Sequence, residues 1–123
     1  MKIVCIADAH EKHESLNELE GDLLLHAGDL TWTGEIKATV KFLSWFAARP
    51  FTHKIFIAGN HDFLFEQNPA LAKSLVPAGV IYLVFGHIHE AYGQTVKYGT
   101  RFVNASICNA RYEAVHEPVV VHL

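Results

Sequence analysis

Four apolar runs, each followed at once by a short polar cluster, constrain the fold of this chain more than any other feature of its sequence. The runs cover residues 2–7, 22–27, 54–58 and 80–85, and leucine, isoleucine, valine and phenylalanine dominate them. Near-continuous apolar runs of this length are typical of strands that are buried on both faces of a parallel sheet. They therefore predict four buried strands, Lys2–Ala7, Asp22–Ala27, Lys54–Ala58 and Val80–Phe85.

Helical patterns lie between these runs. The clearest predicts a helix over Ile36–Ala48, because Val40, Leu43, Phe46 and Ala47 recur at helical spacing and Pro50 follows. Shorter helices are predicted over Glu14–Glu20 and Pro69–Leu75. Near the C-terminus, short strands separated by turn residues are typical of antiparallel hairpins; they cover Thr95–Lys97, Arg101–Asn104 and Val119–His122. This order of elements predicts an α/β layered domain.

The polar clusters contain residues that bind metal ions. They read Asp8-Ala9-His10, Gly28-Asp29, Gly59-Asn60-His61-Asp62 and Gly86-His87-Ile88-His89. Ligands of α/β proteins bind outside the carboxyl ends of the strands, so four clusters at four such ends should converge on one site. Carboxylate, imidazole and amide groups without thiolate suit ions such as Mn²⁺, Fe²⁺ or Zn²⁺.

Length and charge narrow the class of protein further. The 123 residues are expected to form a single domain, residues 1–123. A net charge of −3 without a basic block excludes long nucleic acid as a partner. The N-terminal apolar run is too short for a signal sequence or a membrane span, so we expect a soluble, cytoplasmic protein without membrane contact.

Other polar and aromatic residues have ordinary structural interpretations. Any one cluster alone is weak support for a metal site, and a single histidine at a strand end is usually a packing or surface residue. This interpretation is applied to His13, His26, His53, His116 and His122. Trp32 and Trp45 are expected to pack rather than stack on a substrate. Arg111 and Tyr112 could contact substrate or form an exposed loop pair.

The blocks DAH, GD, GNHD and GHIH, in this order, resemble the signature of the calcineurin-like metallophosphoesterases. The flanking segments LLLHAGDLTWTGE, HKIFIAGNHDFLF and FGHIHEAYG resemble the small-phosphodiesterase branch of that family, which includes cyclic-nucleotide phosphodiesterases. The resemblance covers nearly the whole chain. It implies a compact, shortened metallophosphoesterase-like α/β fold, a β-sandwich of two sheets with flanking helices.

The resemblance also implies a role for each site residue. Asp8, His10 and His89 would bind a first metal ion, Asp29 would bridge to a second, and Asn60 and His87 would bind that second ion. His61 would face the leaving group or the transition-state oxygens. The implied reaction is hydrolysis of small phosphodiesters by a metal-activated water at a centre of two divalent ions. We expect manganese as the metal, with iron, zinc, nickel, cobalt and magnesium as alternatives.

One family feature is absent from the sequence. A histidine that ligates the second metal should follow the GNHD block, but residues 63–86 contain no histidine. AGVIYL and VFGHIH resemble two strands that are normally separated by a long insertion, which indicates an internal deletion. The second metal site should therefore be weaker. Alternatives to an enzyme are a metal-binding pseudoenzyme and a deletion product held by self-association. We expect a homodimer or higher homo-oligomer with Val80–Phe85 near its interface.

Overall fold

The computed structural model describes residues 1–16, 18–84, 92–97 and 100–122. Its strands are β1 (Lys2–Ile6), β2 (Leu23–Ala27), β3 (His53–Ala58), β4 (Val80–Val84), β5 (Gly93–Lys97), β6 (Thr100–Asn104) and β7 (Val119–His122). Its α-helices are α1 (Ile36–Ala47), α2 (Phe63–Gln67) and α3 (Pro69–Ser74). The predicted α/β class is confirmed, and each of the four apolar runs forms a strand.

A five-stranded sheet with the order β4-β3-β2-β1-β7 is the main architectural element. Strands β1 to β4 are parallel, with Ile6 opposite His26 and Ala27 opposite Ile57. Because parallel strands end at the same edge of a sheet, the loops that follow β1, β2 and β3 lie side by side. Strands β5 and β6 form a separate antiparallel pair. The mixed sheet is consistent with a shortened metallophosphoesterase fold.

Helix α1 contributes one apolar face to the main core. Its buried residues include Thr39, Phe42, Leu43 and Phe46, which recur at the spacing of a single helical face. Phe46 packs against Phe56 of β3, and their ring centroids are 6.2 Å apart. The sequence pattern had placed Val40 on this face, but Val40 is 40% exposed, because the buried stripe runs through the neighbouring positions.

Three further expectations differ from the structure. The predicted helix Glu14–Glu20 is not formed by the described residues of that segment, which contain only a 3₁₀ turn at His13–Ser15. Strand β7 pairs antiparallel with β1 in the main sheet instead of joining a C-terminal hairpin. Helix α2 had no counterpart in the sequence pattern. Phe85, the predicted end of the fourth strand, lies outside the described residues.

Two of the histidines interpreted as packing residues lie in the aromatic core. His13 is fully buried against Phe42 and Trp45, and His26 packs edge-on against Phe42 at 4.8 Å between ring centroids. Both ring nitrogens of His13 and Nε2 of His26 find no hydrogen-bond partner in the described part of the chain. Burial lowers the pKa of His13 to about 4 and that of His26 to about 3. Both side chains are therefore neutral at pH 7.

No helix among the described residues is long and apolar enough to cross a membrane.

Candidate metal centre

Three of the predicted metal ligands converge at the carboxyl ends of β1 and β2. Asp8, His10 and Asp29 are all buried, and one ligand atom from each lies within 4.8 Å of the others. His10 Nε2 lies 3.9 Å from Asp29 Oδ2, and both side chains are fully inaccessible to solvent. We call these three residues the metal cradle. Two buried carboxylates in such proximity repel each other unless a cation lies between or beside them.

The backbone of the metal cradle has a conformation that most residues avoid. Asp8, His10 and Asp29 have φ angles of 51°, 40° and 56°, in the left-handed region. Each such residue costs about 1–3 kcal/mol, and residues of this kind cluster at functional sites. Hydrogen bonds between the two loops hold this geometry: Asp8 N donates to Gly28 O at 2.9 Å, and His10 N donates to Asp29 O at 3.0 Å.

The orientation of His10 suits a metal ligand. Its Nδ1 lies 3.2 Å from the carbonyl oxygen of Thr31. Because a carbonyl can only accept, Nδ1 carries the proton, and the lone pair of Nε2 is then directed to the Asp29 side. A histidine whose second nitrogen donates to a carbonyl is the usual arrangement for a metal-bound imidazole.

Two glycines allow the loops of Asp29 and His61 to approach closely. A Cβ atom on Gly59 would lie 2.7 Å from the carboxyl carbon of Asp29 and closer still to its Oδ1. A Cβ on Gly28, where φ is 101°, would lie 3.0 Å from Gly59 Cα. Only glycine at position 59 leaves the Asp29 carboxylate in its present place.

His61 lies beside the metal cradle. Its backbone N–H donates to Asp29 Oδ1 at 3.0 Å, and its ring lies edge-on to the ring of His10, with 5.1 Å between centroids. Nδ1 of His61 lies 2.9 Å from the carbonyl oxygen of Trp32 and, since that oxygen can only accept, donates to it. Nε2 is therefore the nitrogen of this half-buried ring that is available to a substrate.

Asp62 organises the loop that orients both imidazoles. Its buried carboxylate accepts from Thr31 N and Thr31 Oγ1 on Oδ1, each at 2.9 Å. Its Oδ2 accepts from Leu30 N at 3.1 Å and from Gly59 N at 2.9 Å. Burial raises the pKa of Asp62, and these four bonds act against that rise. The sequence displays Asp62 in its GNHD block, but the pattern alone assigned no role to it.

Two partly exposed aromatic residues border the metal cradle. The sequence predicts Trp32 as a packing residue and leaves Tyr112 open between substrate contact and an exposed loop. The Trp32 ring stacks on His10 with 4.5 Å between centroids, and the Tyr112 ring lies edge-on to His10 at 5.1 Å. The two rings are 4.9 Å apart, and both residues are half-buried. We call Trp32 and Tyr112 the aromatic rim. Because the two residues are 80 positions apart in the sequence, the sequence pattern gives no indication of this contact.

The other predicted ligands, Asn60, His87 and His89, do not belong to the metal cradle. Asn60 is exposed in the turn before His61. His87 and His89 lie outside the described residues. A set of two carboxylates and one neutral imidazole fits a divalent ion of borderline or hard character, so the residues that are described suit the metal that the sequence predicted.

Comparison with known proteins identifies the family. The family model for calcineurin-like phosphoesterases matches residues 1–75, which include all three residues of the metal cradle as well as His61. The chain belongs to the calcineurin-like phosphoesterase family, a family of hydrolases that bind divalent metal ions. This confirms the family resemblance, and the matched residues include the DAH, GD and GNHD blocks.

Relatives with curated names agree with this family. The chain is 23% identical over 230 residues to metallophosphoesterase domain-containing protein 1 of Homo sapiens, in an alignment that covers 99% of this chain and 71% of the human protein. It is 43% identical over 116 residues to UPF0046 protein C25E10.12 of Caenorhabditis elegans, covering 93% of this chain but 38% of that protein. The human alignment is far longer than this chain, which is consistent with an internal deletion.

Proposed function

We propose that the protein is a metal-dependent phosphoesterase that hydrolyses small phosphodiesters. The observation that carries this proposal is the metal cradle with His61 beside it. The family supports metal-dependent hydrolysis, and the preference for diesters, cyclic nucleotides among them, rests on the resemblance of the flanking segments. The free thiols of Cys5 and Cys108 support action in a reducing compartment such as the cytoplasm.

We assign the following roles to the residues of the site. Asp8, His10 and His89 would hold a divalent ion, for which manganese is our first choice, and Asp29 would extend to a second ion that Asn60 and His87 would complete more weakly. Bound divalent ions polarise phosphate oxygens and lower the pKa of water. With both ring nitrogens protonated, His61 would present its Nε2 proton to the ester and would give that proton to the leaving oxygen, or stabilise negative charge that develops there.

Hydrolysis by the reconstituted protein tests this proposal. The protein is stripped with chelator, its metal content is measured, and it is reloaded with Mn²⁺. Release of p-nitrophenolate from bis(p-nitrophenyl) phosphate is then compared with release from p-nitrophenyl phosphate. We expect turnover only in the reloaded protein and a preference for the diester. Full metal occupancy without turnover of either ester would reject the proposal.

His61→Gln separates chemistry from metal binding. The change removes the imidazole while leaving the metal cradle intact. We expect a loss of about 10²-fold or more in kcat at unchanged manganese content. His53→Ala serves as the matched control, because His53 is exposed at the start of β3, at the end of the strand away from the metal cradle. Loss of metal together with activity in His61→Gln would make His61 a ligand instead.

A metal-binding protein without turnover is the second candidate. It is favoured by two observations: Asn60, a predicted ligand of the second ion, is exposed, and residues 63–86 contain no histidine that could ligate that ion as well. Under this candidate one ion binds per chain and the diester is not hydrolysed. Elemental analysis together with the ester assay distinguishes the two candidates.

We also propose a homodimer or higher homo-oligomer. In the described part of the chain, β4 pairs only with β3, so it forms an edge of the main sheet. Its residues VIYLV include neither a charge nor a proline, and Ile81 is 51% exposed. Unprotected edges of this kind readily pair with another strand, and a second copy of the chain is our proposed partner. Light scattering at low concentration tests this; a monomer with full activity would reject it.

A further inference from the structure

The aromatic rim packs against the buried ring of His10 in the metal cradle and is itself partly exposed to solvent. His10 is fully buried, whereas Trp32 and Tyr112, which contact its ring, are half-buried. The Tyr112 ring is also edge-on to His61 at 6.1 Å between centroids. The rings of His10, His61 and Tyr112 thus form a triangle. An ester held between the metal cradle and His61 would lie next to Tyr112.

Several hydrogen bonds hold the turn that contains Tyr112. Tyr112 N donates to Asn109 O at 2.9 Å, and Asn109 Oδ1 accepts from Arg111 N at 2.8 Å and from Glu113 N at 3.1 Å. The Lys12 ammonium group donates to the Tyr112 carbonyl oxygen and lies 5.6 Å from the centre of the Trp32 ring. Lys12 therefore fastens both residues of the aromatic rim together.

Tyrosine is poorly suited to this backbone position. Tyr112 has φ at 59°, in the left-handed region that glycine and asparagine adopt most easily. For a large aromatic residue this conformation is a source of strain. A tyrosine kept in such a turn, with its ring against His10 and His61, points to a use for the ring that outweighs the strain.

From these observations we propose that Tyr112 is a specificity-determining residue and selects phosphoesters that carry an aromatic substituent. The proposal rests on the proposed phosphoesterase function and adds its substrate class. Planar aromatic groups pack favourably against aromatic rings in offset or edge-to-face geometry. Tyr112 offers such a ring to the ester substituent, and the Lys12 ammonium group nearby complements the charge of the phosphate.

A matched pair of diesters isolates this contact. Phenyl p-nitrophenyl phosphate and methyl p-nitrophenyl phosphate release the same p-nitrophenolate, so their kcat/KM ratio reports the contact made by the second substituent. We expect the phenyl diester to be preferred by about 3- to 10-fold beyond the difference in their non-enzymatic rates, the size of one aromatic contact. The proposal would be overturned if the ratio of kcat/KM for the two diesters equalled the ratio of their non-enzymatic rate constants.

Two variants at position 112 distinguish the effect of the Tyr112 ring on substrate preference from its effect on folding. Tyr112→Phe keeps the ring and should keep the preference. Tyr112→Asn removes the ring but suits the left-handed backbone, so it should unfold at the same or a higher denaturant concentration while the preference disappears. Tyr92→Asn is the control, because the Tyr92 ring packs on His116 instead of the aromatic rim. A preference that survives in Tyr112→Asn would overturn the proposal.

A binding measurement tests the role of Tyr112 independently of the proposed phosphoesterase activity. Calorimetry of the manganese-loaded protein with phenylphosphonate and with methylphosphonate requires no turnover. Tighter binding of phenylphosphonate by the wild type, lost in Tyr112→Asn, supports the role of Tyr112 even if no ester is hydrolysed. Equal affinities in a protein that hydrolyses both diesters would reject this role and leave the phosphoesterase function standing.

Discussion

Replacing Asp62 with asparagine tests the hydrogen-bond network that supports the site. The Asp62 carboxylate is 2% exposed and accepts four hydrogen bonds, two on each oxygen. An asparagine amide has only one oxygen. In its better orientation that oxygen keeps the bonds from Leu30 N and Gly59 N, and its NH₂ group can donate to Thr31 Oγ1. The buried N–H of Thr31 then loses its acceptor.

The expected cost follows from this count. A buried donor without an acceptor costs about 1–3 kcal/mol, and the bonds that survive lose the charge on their acceptor. We expect Asp62→Asn to lower the free energy of unfolding by about 2–4 kcal/mol, a large part of the stability of a domain of this size. Because the loop of Thr31 and Trp32 orients His10 and His61, kcat should fall as well.

Urea denaturation of the metal-free protein measures the change in stability, and the diester assay measures kcat. Asp22→Asn is the matched control: Asp22 is exposed, accepts from Lys2 N at 2.6 Å, and lies just before β2, at the end of the strand away from the site. A change there should stay within about 0.5 kcal/mol. If Asp62→Asn unfolds at the same urea concentration as the wild type, the four hydrogen bonds do not support the loop as argued.

Three further predictions concern the metal cradle and the buried histidines. Asp29→Ala should lower the metal content measured by elemental analysis more than loss of any other single ligand, because Asp29 is the predicted bridge; unchanged content would refute the bridge. Gly59→Ala should weaken manganese affinity at least about 10-fold in a titration, because its Cβ would displace the Asp29 carboxylate. Affinity equal to that of the wild type would show that the loop can move aside. Stability without metal should fall between pH 7.5 and pH 5. Unfolded histidines take up a proton below pH 6.5, whereas His13 and His26 in the folded protein do so only near 4 and 3. At pH 5 each contributes a loss of about 2 kcal/mol, which urea midpoints would reveal and which His13→Leu should reduce.

The sequence predicted the framework of the fold because its strongest signals are local. Apolar runs that end in glycine or aspartate located β1 to β4 to within one residue at each end that is described, and the spacing of apolar residues located α1. The antiparallel pairing of β7 with β1 joins residues more than a hundred positions apart. The weak apolar pattern of Glu14–Glu20 matched a helix, but the described residues form only the 3₁₀ turn at His13–Ser15.

The site was predictable in part for the same reason. Asp8, His10 and Asp29 lie in the loops that follow β1 and β2, and the rule for parallel sheets brings such residues together. Tyr112 and Trp32 follow no such rule, since only the closed fold brings their loops into contact. The support that Asp62 gives to Leu30 and Thr31 is also invisible in the sequence, because it spans about thirty positions and depends on backbone N–H groups.

The metal cradle is costly to build in the absence of an ion, and this cost argues that an ion is its purpose. Asp8, His10 and Asp29 all have left-handed backbone conformations, which together cost about 3–9 kcal/mol. Asp8 and Asp29 also bury two carboxylates, and apolar residues of similar volume often fold at least as stably as buried charges. The absence of a side chain at Gly59 leaves room for the Asp29 carboxylate, and Gly28 allows its loop to approach Gly59 closely. A cluster that served only packing would gain nothing from these features, whereas a divalent cation requires anionic oxygens and an oriented imidazole in close proximity.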